Sequence, residues 1–599
     1  MKKGLQMNEI ETQSDKFLAS KSEKRLHRWG FKDSGFELDG EKSVTFSGSR
    51  YEVSGTSMPD FIPYIENVLG IEFNKSDELS PVRDKPVKPA EIHEEFLEEV
   101  KNSFDSDRFT MEDLERLIHS HGQETFMDIY KVLYKSIERM VDLVFYPENE
   151  DEVRIFIELA SKYNICLIPY GGGTNVTRAL TIPENEKRMV VSVDMRRMSK
   201  IEWINKEDRR VCVQAGITGG ELIELLKQEG FTVGHEPDSV ELSTVGGWVA
   251  TNASGMKKNR YGNIEDIVEN INLVSPKGVV KQINPISRGS IGFKPQNILF
   301  GSEGNIGIIT KVILKIHEIP NSQKYNSVIF KDWNDGIGFM KELSKTNYIP
   351  ASVRLVDNIQ FRFGQALKPR PEGFKKYKSK IEKFFVTKVK GFDPDKMCAV
   401  TVVMEGTSSE VNYQEKNITK LAKKHRGVIG GSGNGKRGYM LTYAIAYVRD
   451  FAARYQIMGE TMETTVPWSK IQDVIDATTK KLEILHQENN LPGKPYISYR
   501  IPQIYHTGVC IYFMLGISVK GVSDPEEKFS KIEHSMRKVI IEHGGSISHH
   551  HGVGKLRKDF IPDMLSKTSI DLVKELKKAH DPSNIFGASN GILANPSDS

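Results

Sequence analysis

Apolar residues recur in this chain with two different periods, and the change between them predicts where the architecture changes. Up to residue 137, apolar positions three and four apart predict short helices, including 60–69 and 124–134. From 138 onward, apolar runs of strand length alternate with helical patterns. The pattern therefore predicts an α+β protein with a mostly helical N-terminal extension at 1–137.

Three further regions follow from the same pattern. Over residues 138–320 the pattern predicts a mixed domain of short strands and helices, including a helix at 150–162. Residues 321–540 predict an antiparallel sheet with flanking helices that caps the preceding domain. The segment 541–599 carries a histidine cluster and a terminal helix. The elements predicted for the cap are strands at 399–404 and 510–515 and long helices at 441–460 and 471–487.

The composition narrows the class of protein. Hydrophobic residues make up 38% of the 599, which is enough for buried cores, and 83 Lys and Arg nearly balance 80 Asp and Glu. That balance supplies no basic surface, so we expect no nucleic-acid partner. The four cysteines are widely spaced, and we expect neither a zinc site nor a disulfide framework. We see no apolar stretch typical of a signal peptide or a transmembrane helix.

A run of three glycines follows an apolar stretch at 164–168. These glycines lie within the most informative segment of the chain, 170–176. Glycine lets the backbone turn sharply and bring several N–H groups onto one anion, typically a pyrophosphate. The spacing is neither the dinucleotide G-x-G-x-x-G nor a Walker loop. Taken alone, the segment is equally consistent with a glycine turn between two strands.

Two later segments favour a flat ligand. Residues 234–255 are rich in Gly, Ser, Thr and Ala, which admit a ligand close to the backbone and offer hydroxyl groups for hydrogen bonds. Residues 301–310, GSEGNIGIIT, lead into a predicted strand. In order and spacing, the three segments together resemble the vanillyl-alcohol-oxidase-type FAD-binding family.

That resemblance implies a two-subdomain FAD-binding domain at 138–320 beneath the cap, with FAD bound tightly but not covalently. The residues that it implies for flavin contact are Tyr170, Gly171, Gly172, Gly173, Thr174, Asn175, Val176, Asp238, Ser239, Val240, Glu241, Leu242, Ser243, Thr244, Thr251, Asn252, Ala253, Ser254, Glu303, Gly304, Asn305, Ile306, Gly307, Ile308 and Ile309.

The cluster His549, His550 and His551 is the second anchor of the interpretation. Imidazole exchanges protons near neutral pH, which suits general acid–base catalysis. A metal site and a merely structural cluster are the alternatives. Three adjacent histidines rarely converge on one ion and no acidic residue lies close in sequence, so we predict no metal.

A more specific resemblance begins at this cluster. Flavin-dependent 2-hydroxyacid dehydrogenases carry GEHG-x-G here, and this chain keeps the end of that pattern at 551–554 but has His549 and His550 in place of Gly-Glu. The triple histidine is similar to the alkyl-dihydroxyacetonephosphate synthase family of ether-lipid enzymes. Further segments that resemble this family lie at 352–358, 444–450, 506–513 and 581–587.

The resemblance also implies roles for single side chains. Arg449 holds the phosphate of the substrate, and Arg354 supports charge on the flavin or an intermediate, although either arginine is also suited to a structural ion pair. Tyr512 donates or accepts a proton, with a packed core tyrosine as the alternative. The histidine cluster, with His551 foremost, moves protons, and Cys510 shapes the pocket.

The reaction implied by this family exchanges the acyl group of 1-acyl-dihydroxyacetone phosphate for a long-chain fatty alcohol. The exchange is redox-neutral, passes through a covalent adduct at the flavin N5, and releases a fatty acid. An apolar tunnel, peripheral membrane association, a homodimer and a peroxisomal location are implied as well, although no targeting sequence is legible. An FAD-dependent D-2-hydroxyacid dehydrogenase or oxidase is the alternative, and a non-catalytic flavin-fold scaffold is a third.

One glycine-rich stretch, 427–438, nearly matches a Walker loop but ends in Lys436-Arg437. It contains no carboxylate, so it supplies no acidic base. We expect a mobile loop there that gates the substrate site.

Overall fold

Five β-sheets and the helices around them make up the part of the chain that the structure describes. This computed structural model covers residues 24–594, except 26, 83–86, 372, 374–376, 378–380 and 382–383. Its mixture of helices and sheets confirms the predicted α+β class. Among the described residues, no helix combines the length and apolar character that crossing a bilayer requires.

The elements are numbered in chain order. The strands are β1 Phe36–Leu38, β2 Val44–Phe46, β3 Ser57–Met58, β4 Phe109–Thr110, β5 Leu143–Phe145, β6 Cys166–Tyr170, β7 Val190–Asp194, β8 Ile201–Asn205, β9 Arg210–Gln214, β10 Phe231–Thr232, β11 Val268–Ser275, β12 Gly278–Val280, β13 Ile308–Lys315, β14 His317–Glu318, β15 Ser322–Phe330, β16 Ser352–Val356, β17 Cys398–Gly406, β18 Val428–Ile429, β19 Ile457–Pro467, β20 Tyr496–Ile504 and β21 Gly508–Ser518. The helices are α1 Phe61–Leu69, α2 Glu94–Ser103, α3 Asp113–Ile118, α4 Phe126–Tyr134, α5 Glu150–Lys162, α6 Gly219–Gln228, α7 Val245–Ala250, α8 Lys258–Tyr261, α9 Ile264–Ile267, α10 Trp333–Leu343, α11 Asn358–Ala366, α12 Ser408–Lys424, α13 Ser432–Arg454, α14 Ile471–Glu488, α15 Pro525–Glu542, α16 Ile561–Met564 and α17 Lys567–His580.

A parallel unit positions the glycine loop. β5 and β6 both pair in parallel with β7, in a sheet of order β4-β5-β7-β6. The connecting helix α5 begins where the Asn149 side chain accepts a hydrogen bond from the Glu152 N–H. Ligands of such sheets bind outside the carboxyl ends of the strands, and the glycines follow the carboxyl end of β6 directly.

An antiparallel sheet of order β12-β11-β13-β9-β8 forms the second part of this region. Its central strand β13 packs against α7. The Thr310 hydroxyl on β13 donates to Glu150 on α5 over 2.6 Å, which joins the two sheets. The segments 234–255 and 301–310, which contain α7 and lead into β13, therefore pack against each other on this sheet.

The cap is an antiparallel sheet of seven strands, β18-β15-β17-β16-β20-β21-β19. In its register, Tyr512 on β21 lies opposite Glu463 on β19 and opposite Arg500 on β20. Directly opposed residues of antiparallel strands project from the same face. The sheet thus places an acid, a phenol and a guanidinium in one row.

The N-terminal segment differs from the helical pattern predicted for it. The described part contains α1 to α4 close to their predicted positions, but also the three-stranded sheet β1-β2-β3. Phe36 and Phe46 pack edge to face across that sheet with ring centroids 4.8 Å apart. Strands of two or three residues are too short for periodicity to detect. Residues 1–23 of the predicted extension lie outside the described residues.

Two predictions in the cap are wrong. The helix predicted at 441–460 ends at Arg454, and Gln456, with φ of 58°, turns the chain into β19. The predicted mobile loop at 427–438 is β18 followed by the first turns of α13. A Cβ on Gly435 would lie 2.3 Å from the Asn326 carbonyl oxygen, so glycine serves close helix–strand packing there rather than mobility.

Candidate active site

A cavity of about 400 Å³ extends from the glycine loop to the cap sheet. Part of its wall consists of residues 171–176, residues of α7 and residues 302–304. Another part carries polar side chains from β20, β21, α13 and the histidine cluster. A third part is apolar and includes Ile65, Val68, Leu69 and Phe363. Phosphate-binding backbone, titratable groups and an apolar surface therefore share one space.

The glycine loop is built so that backbone, not side chain, faces this space. Gly173 has a φ of 72°, which favours glycine. A Cβ on Gly172 would lie 2.1 Å from the Leu242 carbonyl oxygen, and one on Gly171 would lie 2.4 Å from the Thr244 hydroxyl oxygen. The loop therefore packs directly on the 242–244 segment. Such a run of backbone amides is a concave site for an anion.

Two donors on the cavity wall support a ligand rich in acceptor atoms. The Asn175 Nδ2 and the Arg500 Nε are buried and have no hydrogen-bond partner among the described residues. A buried donor without a partner is costly unless a ligand satisfies it. The pyrophosphate and ring carbonyl groups of FAD offer such acceptors, so the residues present fit the predicted cofactor.

Most of the residues predicted for flavin contact line the cavity, and six do not. Glu241 instead accepts a hydrogen bond from the Tyr51 hydroxyl over 2.9 Å, and Asn305 donates to the Asn590 carbonyl over 3.1 Å. The others are occupied by core packing or by the turn after α7, where a side chain cannot also face a ligand. The six are Val240, Glu241, Leu242, Asn252, Asn305 and Ile306.

The segment 548–554, here called the histidine loop, is folded around the buried Glu463. This carboxylate accepts hydrogen bonds from the Ser548 hydroxyl at 2.7 Å, the His551 N–H at 3.0 Å and the His549 N–H. Arg557, which is fully buried, donates to it over 3.0 Å. Burial acts to raise the pKa of Glu463, but the neighbouring His551 and Arg557 outweigh it and hold the pKa well below the usual range.

A second carboxylate, Glu303, fixes the other end of the histidine loop. It accepts from the Val553 N–H over 2.6 Å and from the Gly554 N–H over 3.1 Å. Glu303 was predicted to contact the flavin, and it does line the cavity. Its two hydrogen bonds tie the histidine loop to the segment that precedes β13.

The three histidines differ in what their ring nitrogens contact. The His551 Nδ1 lies 3.3 Å from Arg557, which can only donate, and 3.5 Å from Glu463, which can only accept. His550 and His549 face each other through Nδ1 atoms 2.8 Å apart, and the His549 Nε2 lies 2.5 Å from the Tyr505 hydroxyl. Burial lowers the pKa of all three, that of His549 to about 3, so all are neutral at pH 7.

A group of charges surrounds Tyr512 on the same wall. The Arg500 guanidinium lies 4.0 Å above the centre of the Tyr512 ring, and the phenol donates to the Thr461 hydroxyl over 3.1 Å. Asp238 lies 3.6 Å from Arg354 and 3.5 Å from Arg500. Burial raises the pKa of Tyr512, so the phenol stays protonated. Two guanidinium groups share one carboxylate here, which leaves a net positive charge beside the phenol.

Arg449 reaches the cavity from α13. Its guanidinium donates to the Glu124 carbonyl oxygen and lies 3.2 Å from Asp450. Burial raises the pKa of the adjacent Glu124 carboxyl to about 8, so this side chain is mostly neutral at pH 7. Arg354 does not line this cavity but a small adjoining one, which it shares with Asp238, Arg500 and Tyr512.

Sequence reasoning missed several residues at this site. Arg500, Glu463, Arg557 and Glu124 were not singled out, and neither was Trp29, which lines the cavity from the N-terminal segment. The strands around Arg500 and Glu463 carry ordinary β patterns, and nothing local marks their partners. Arg557 follows the histidines by six positions, so proximity in sequence was an available signal.

Cys510 lies beside the histidine loop. One ligand atom each of Cys510, His549 and His550 lie within 4.8 Å of one another. Burial raises the pKa of the Cys510 thiol well above its usual value, which disfavours the thiolate that metals bind. The absence of a metal stays a prediction, as does the role of Cys510 in shaping the pocket.

Comparisons with known proteins agree with this geometry. Residues 141–284 match the model of an FAD binding domain, and residues 319–590 match that of the C-terminal domain of FAD linked oxidases. Alkyldihydroxyacetonephosphate synthase of Caenorhabditis elegans is 42% identical over 94% of this chain and 94% of its own length. The Dictyostelium discoideum protein of the same name is 29% identical over 91% and 89%.

Solved structures agree as well. A crystal form of alkyldihydroxyacetonephosphate synthase superimposes with a TM-score of 0.82 at 26% identity, covering 94% of this chain and 98% of that one. p-Cresol methylhydroxylase shares the fold alone, with a TM-score of 0.63 at 13% identity over 84% of this chain and 98% of its own.

Fold and site together define a flavoprotein of the vanillyl-alcohol-oxidase type, with FAD as its cofactor. Within that class, the chain belongs to the alkyldihydroxyacetonephosphate synthase family. The fold and cofactor predictions are confirmed. Noncovalent attachment, the domain boundaries and the individual site residues stay predictions.

Replacing Gly172 with Ala is expected to weaken the retention of FAD. The new Cβ would meet the Leu242 backbone 2.1 Å away, so one of the two cavity-lining segments must shift. We expect FAD affinity to fall at least about tenfold, which corresponds to about 1.4 kcal/mol. Flavin absorbance after gel filtration measures this. Gly433→Ala, whose Cβ meets nothing within 4 Å on α13, is the matched control and keeps its flavin. A Gly172→Ala protein that retains as much flavin as the wild type would contradict the proposed role of the glycine loop.

Proposed function

We propose that this chain is the flavin-dependent enzyme that exchanges the acyl group of 1-acyl-dihydroxyacetone phosphate for a long-chain fatty alcohol. Its products are 1-alkyl-dihydroxyacetone phosphate and a fatty acid, in the formation of an ether lipid. The observation that carries the proposal is the single continuous cavity, which joins a flavin-binding backbone, permanent cations and proton carriers to an apolar wall.

The apolar wall suits long hydrocarbon chains. It combines residues of α1 and α11 with Ala446 of α13 and Leu515 of β21. Ligand pockets are concave and mostly apolar, with a few polar groups that fix orientation. An acyl chain and an alkyl chain gain most of their binding energy from such burial, at about 0.8 kcal/mol per CH₂.

The cations orient the polar end of the substrate. Arg449 is our candidate for the phosphate, because a guanidinium forms paired, charge-assisted hydrogen bonds with phosphate oxygens. Arg500, with Arg354 behind it, faces the Tyr512 side of the cavity and stabilises the departing carboxylate. The phenol of Tyr512 keeps its proton and donates a hydrogen bond to the ester oxygen that leaves C1 as part of the ionised carboxylate. FAD, when bound, supplies an electron-accepting ring beside C1.

The histidines act on the second substrate, the alcohol. His550 lines the cavity and is neutral, so its ring can take the proton of the alcohol as oxygen bonds to C1. Its neighbour His551 also lines the cavity, and in this assignment it serves as a hydrogen-bond donor rather than as the base. This assignment moves the role of base from His551, favoured in the sequence, to His550.

The test combines the purified protein with acyl-dihydroxyacetone phosphate and radiolabelled hexadecanol under anaerobic conditions. We expect labelled ether lipid and a flavin spectrum that ends in the oxidised form. The alternative, a D-2-hydroxyacid dehydrogenase, predicts no ether product and bleaching of the flavin by a 2-hydroxyacid. That second outcome would overturn the proposal.

Arg449→Met should separate the two substrates. Loss of one charge-assisted contact costs about 1.5–3 kcal/mol, so KM for acyl-dihydroxyacetone phosphate should rise about 10- to 100-fold while KM for the alcohol is unchanged. Arg362→Met is the control, because Arg362 forms an exposed ion pair with Asp395 and such pairs contribute about 0–1 kcal/mol. Equal changes in both KM values would argue against a phosphate contact.

Peripheral membrane association, a homodimer and a peroxisomal location complete the proposal. They rest on membership of the family and on the lipid character of the substrates. Flotation of the protein with liposomes, its elution volume, and its co-localisation with a peroxisomal marker test the three separately.

A further inference from the structure

We propose that Tyr505 is the outermost residue of a proton exit path, which carries the proton of the alcohol from His550 through His549 to the surface. The inference rests on the proposed function and extends it to a residue outside the cavity, since neither Tyr505 nor His549 lines the space described above.

The stoichiometry of the exchange requires such a path. An ester and an alcohol become an ether and a carboxylic acid: the bond between C1 and the ester oxygen breaks, and a bond between C1 and the alcohol oxygen forms. Because the fatty acid leaves ionised near neutral pH, the alcohol proton is released once per turnover. A site that excludes water must conduct that proton to solvent.

A chain of short contacts leads away from the cavity at one point. His550 lies on the wall, its Nδ1 is 2.8 Å from the Nδ1 of His549, and the Nε2 of His549 is 2.5 Å from the Tyr505 hydroxyl. Both distances are within hydrogen-bond range. Glu463 accepts hydrogen bonds from the backbone of the histidine loop, which fixes the positions of these histidines.

Neutral histidines suit conduction, because each ring can accept at one nitrogen as it donates from the other. In the starting arrangement, His550 accepts at Nε2 and donates from Nδ1 to His549, which donates from Nε2 to the Tyr505 oxygen. When His550 takes up one proton at the cavity, it passes its other ring proton to His549, and His549 passes its own to Tyr505. Tyr505 releases its own phenolic proton, and the relay ends in the opposite tautomers. Rotation or a second exchange with solvent resets it.

Tyr505 connects this relay with the surface. It is half-buried, and the next two residues of the turn, His506 and Thr507, are exposed. Lys258 lies 3.5 Å above its ring, where a cation stabilises transient negative charge on the phenol. The exposed Glu265 is near enough to affect the phenol electrostatically and can take up the proton at the surface.

The first test is Tyr505→Phe in the full flavin-loaded enzyme. We expect kcat for ether formation to fall about tenfold or more, with both KM values and the flavin spectrum unchanged. Proton transfer should become rate-limiting, so the ratio of kcat in H₂O to kcat in D₂O should rise well above the wild-type ratio. Tyr499→Phe on β20, the strand that ends one residue before Tyr505, is the matched control; its ring packs against Trp333, and it keeps the wild-type ratio.

A second variant separates conduction from structure. His549→Ala should also lose activity, and added imidazole should restore it in a saturable manner, with a rate that follows the basicity of the added base. Normal kcat and isotope ratio in Tyr505→Phe, or a His549→Ala enzyme that binds FAD but resists rescue by every base, would overturn the path. If the wild-type enzyme formed no ether product, the proposed function itself would fail, and the two failures are distinguishable.

Discussion

Tyr512→Phe is expected to reduce the rate of ether formation at least about a hundredfold while FAD stays bound. The phenol is the protonated donor on the cavity wall, under Arg500 and beside Thr461. Phenylalanine keeps the ring and its stacking on the guanidinium but removes the hydrogen-bond donor that stabilises the leaving carboxylate. Steady-state kcat, together with the flavin absorbance of the purified variant, measures the effect.

The control for Tyr512→Phe is Thr461→Val. This change removes the hydroxyl that accepts the hydrogen bond of the phenol but leaves the donor itself in place. We therefore expect a loss of only a few-fold, since a neutral hydrogen bond contributes about 1 kcal/mol. If Tyr512→Phe kept most of its activity, Tyr512 would be a packed wall residue and another group would stabilise the leaving carboxylate.

Glu463→Gln is expected to have the second large effect, on both stability and turnover. The carboxylate organises the histidine loop and neutralises the fully buried Arg557. Removing one partner of a buried ion pair costs about 3–5 kcal/mol, because the remaining charge is left without compensation. The free energy of unfolding should fall by about that amount, and ether formation should be lost as His549, His550 and His551 leave their positions.

A matched pair and a double variant test the reason for this loss. Glu533 and Arg537 form another buried pair, 2.6 Å apart on α15. Glu533→Gln should lower stability to a similar extent but leave ether formation measurable. Adding Arg557→Met to Glu463→Gln removes the unpaired charge and should recover part of the stability without recovering turnover. Recovery of both would mean that Glu463 acts only through folding.

The stabilisation from Glu463 has a defined pH range. Its pKa in the folded chain lies well below the value of about 4.5 expected for the unfolded chain. A lowered pKa contributes fully above the unfolded value and is lost as the pH falls through the folded value. Wild-type and Glu463→Gln enzymes should therefore differ in stability at pH 7 and converge only in strong acid.

The local elements were accessible from sequence wherever a pattern was long and uninterrupted. The helix at 150–162 matches α5, and the strands predicted at 399–404 and 510–515 lie within β17 and β21. Periodicity failed where two elements adjoin without a marker. The helix predicted at 441–460 wrongly covered both the end of α13 and the start of β19. Apolar residues continue across the boundary at Arg454, so the pattern did not show where the helix ends. The stretch 427–438 was misjudged because glycine permits both a turn and close helix packing.

The site shows the same division. Tyr512, the histidines and the glycine loop could be identified because each lies in a segment with its own recognisable sequence. Arg500 and Glu463 could not, since their importance comes from lying opposite Tyr512 in the register of β19, β20 and β21. The pairing of β19 with β21 joins strands that are far apart in the chain, and the register of β20 with β21 shifts at an irregularity between Arg500 and Gln503. Neither alignment therefore follows from a local pattern.

The sequence by itself determined that this is an α+β flavoprotein of one family, because the glycine cradle and the triple histidine require particular residues in particular order. Only the tertiary structure decided which two histidines line the cavity, what the His551 Nδ1 contacts, and which carboxylates hold the histidine loop. Those properties depend on Arg557, Glu303 and Glu463, which converge from separate elements. Protonation and hydrogen-bond direction are set by neighbours in space, so they follow from the fold rather than from the order of residues.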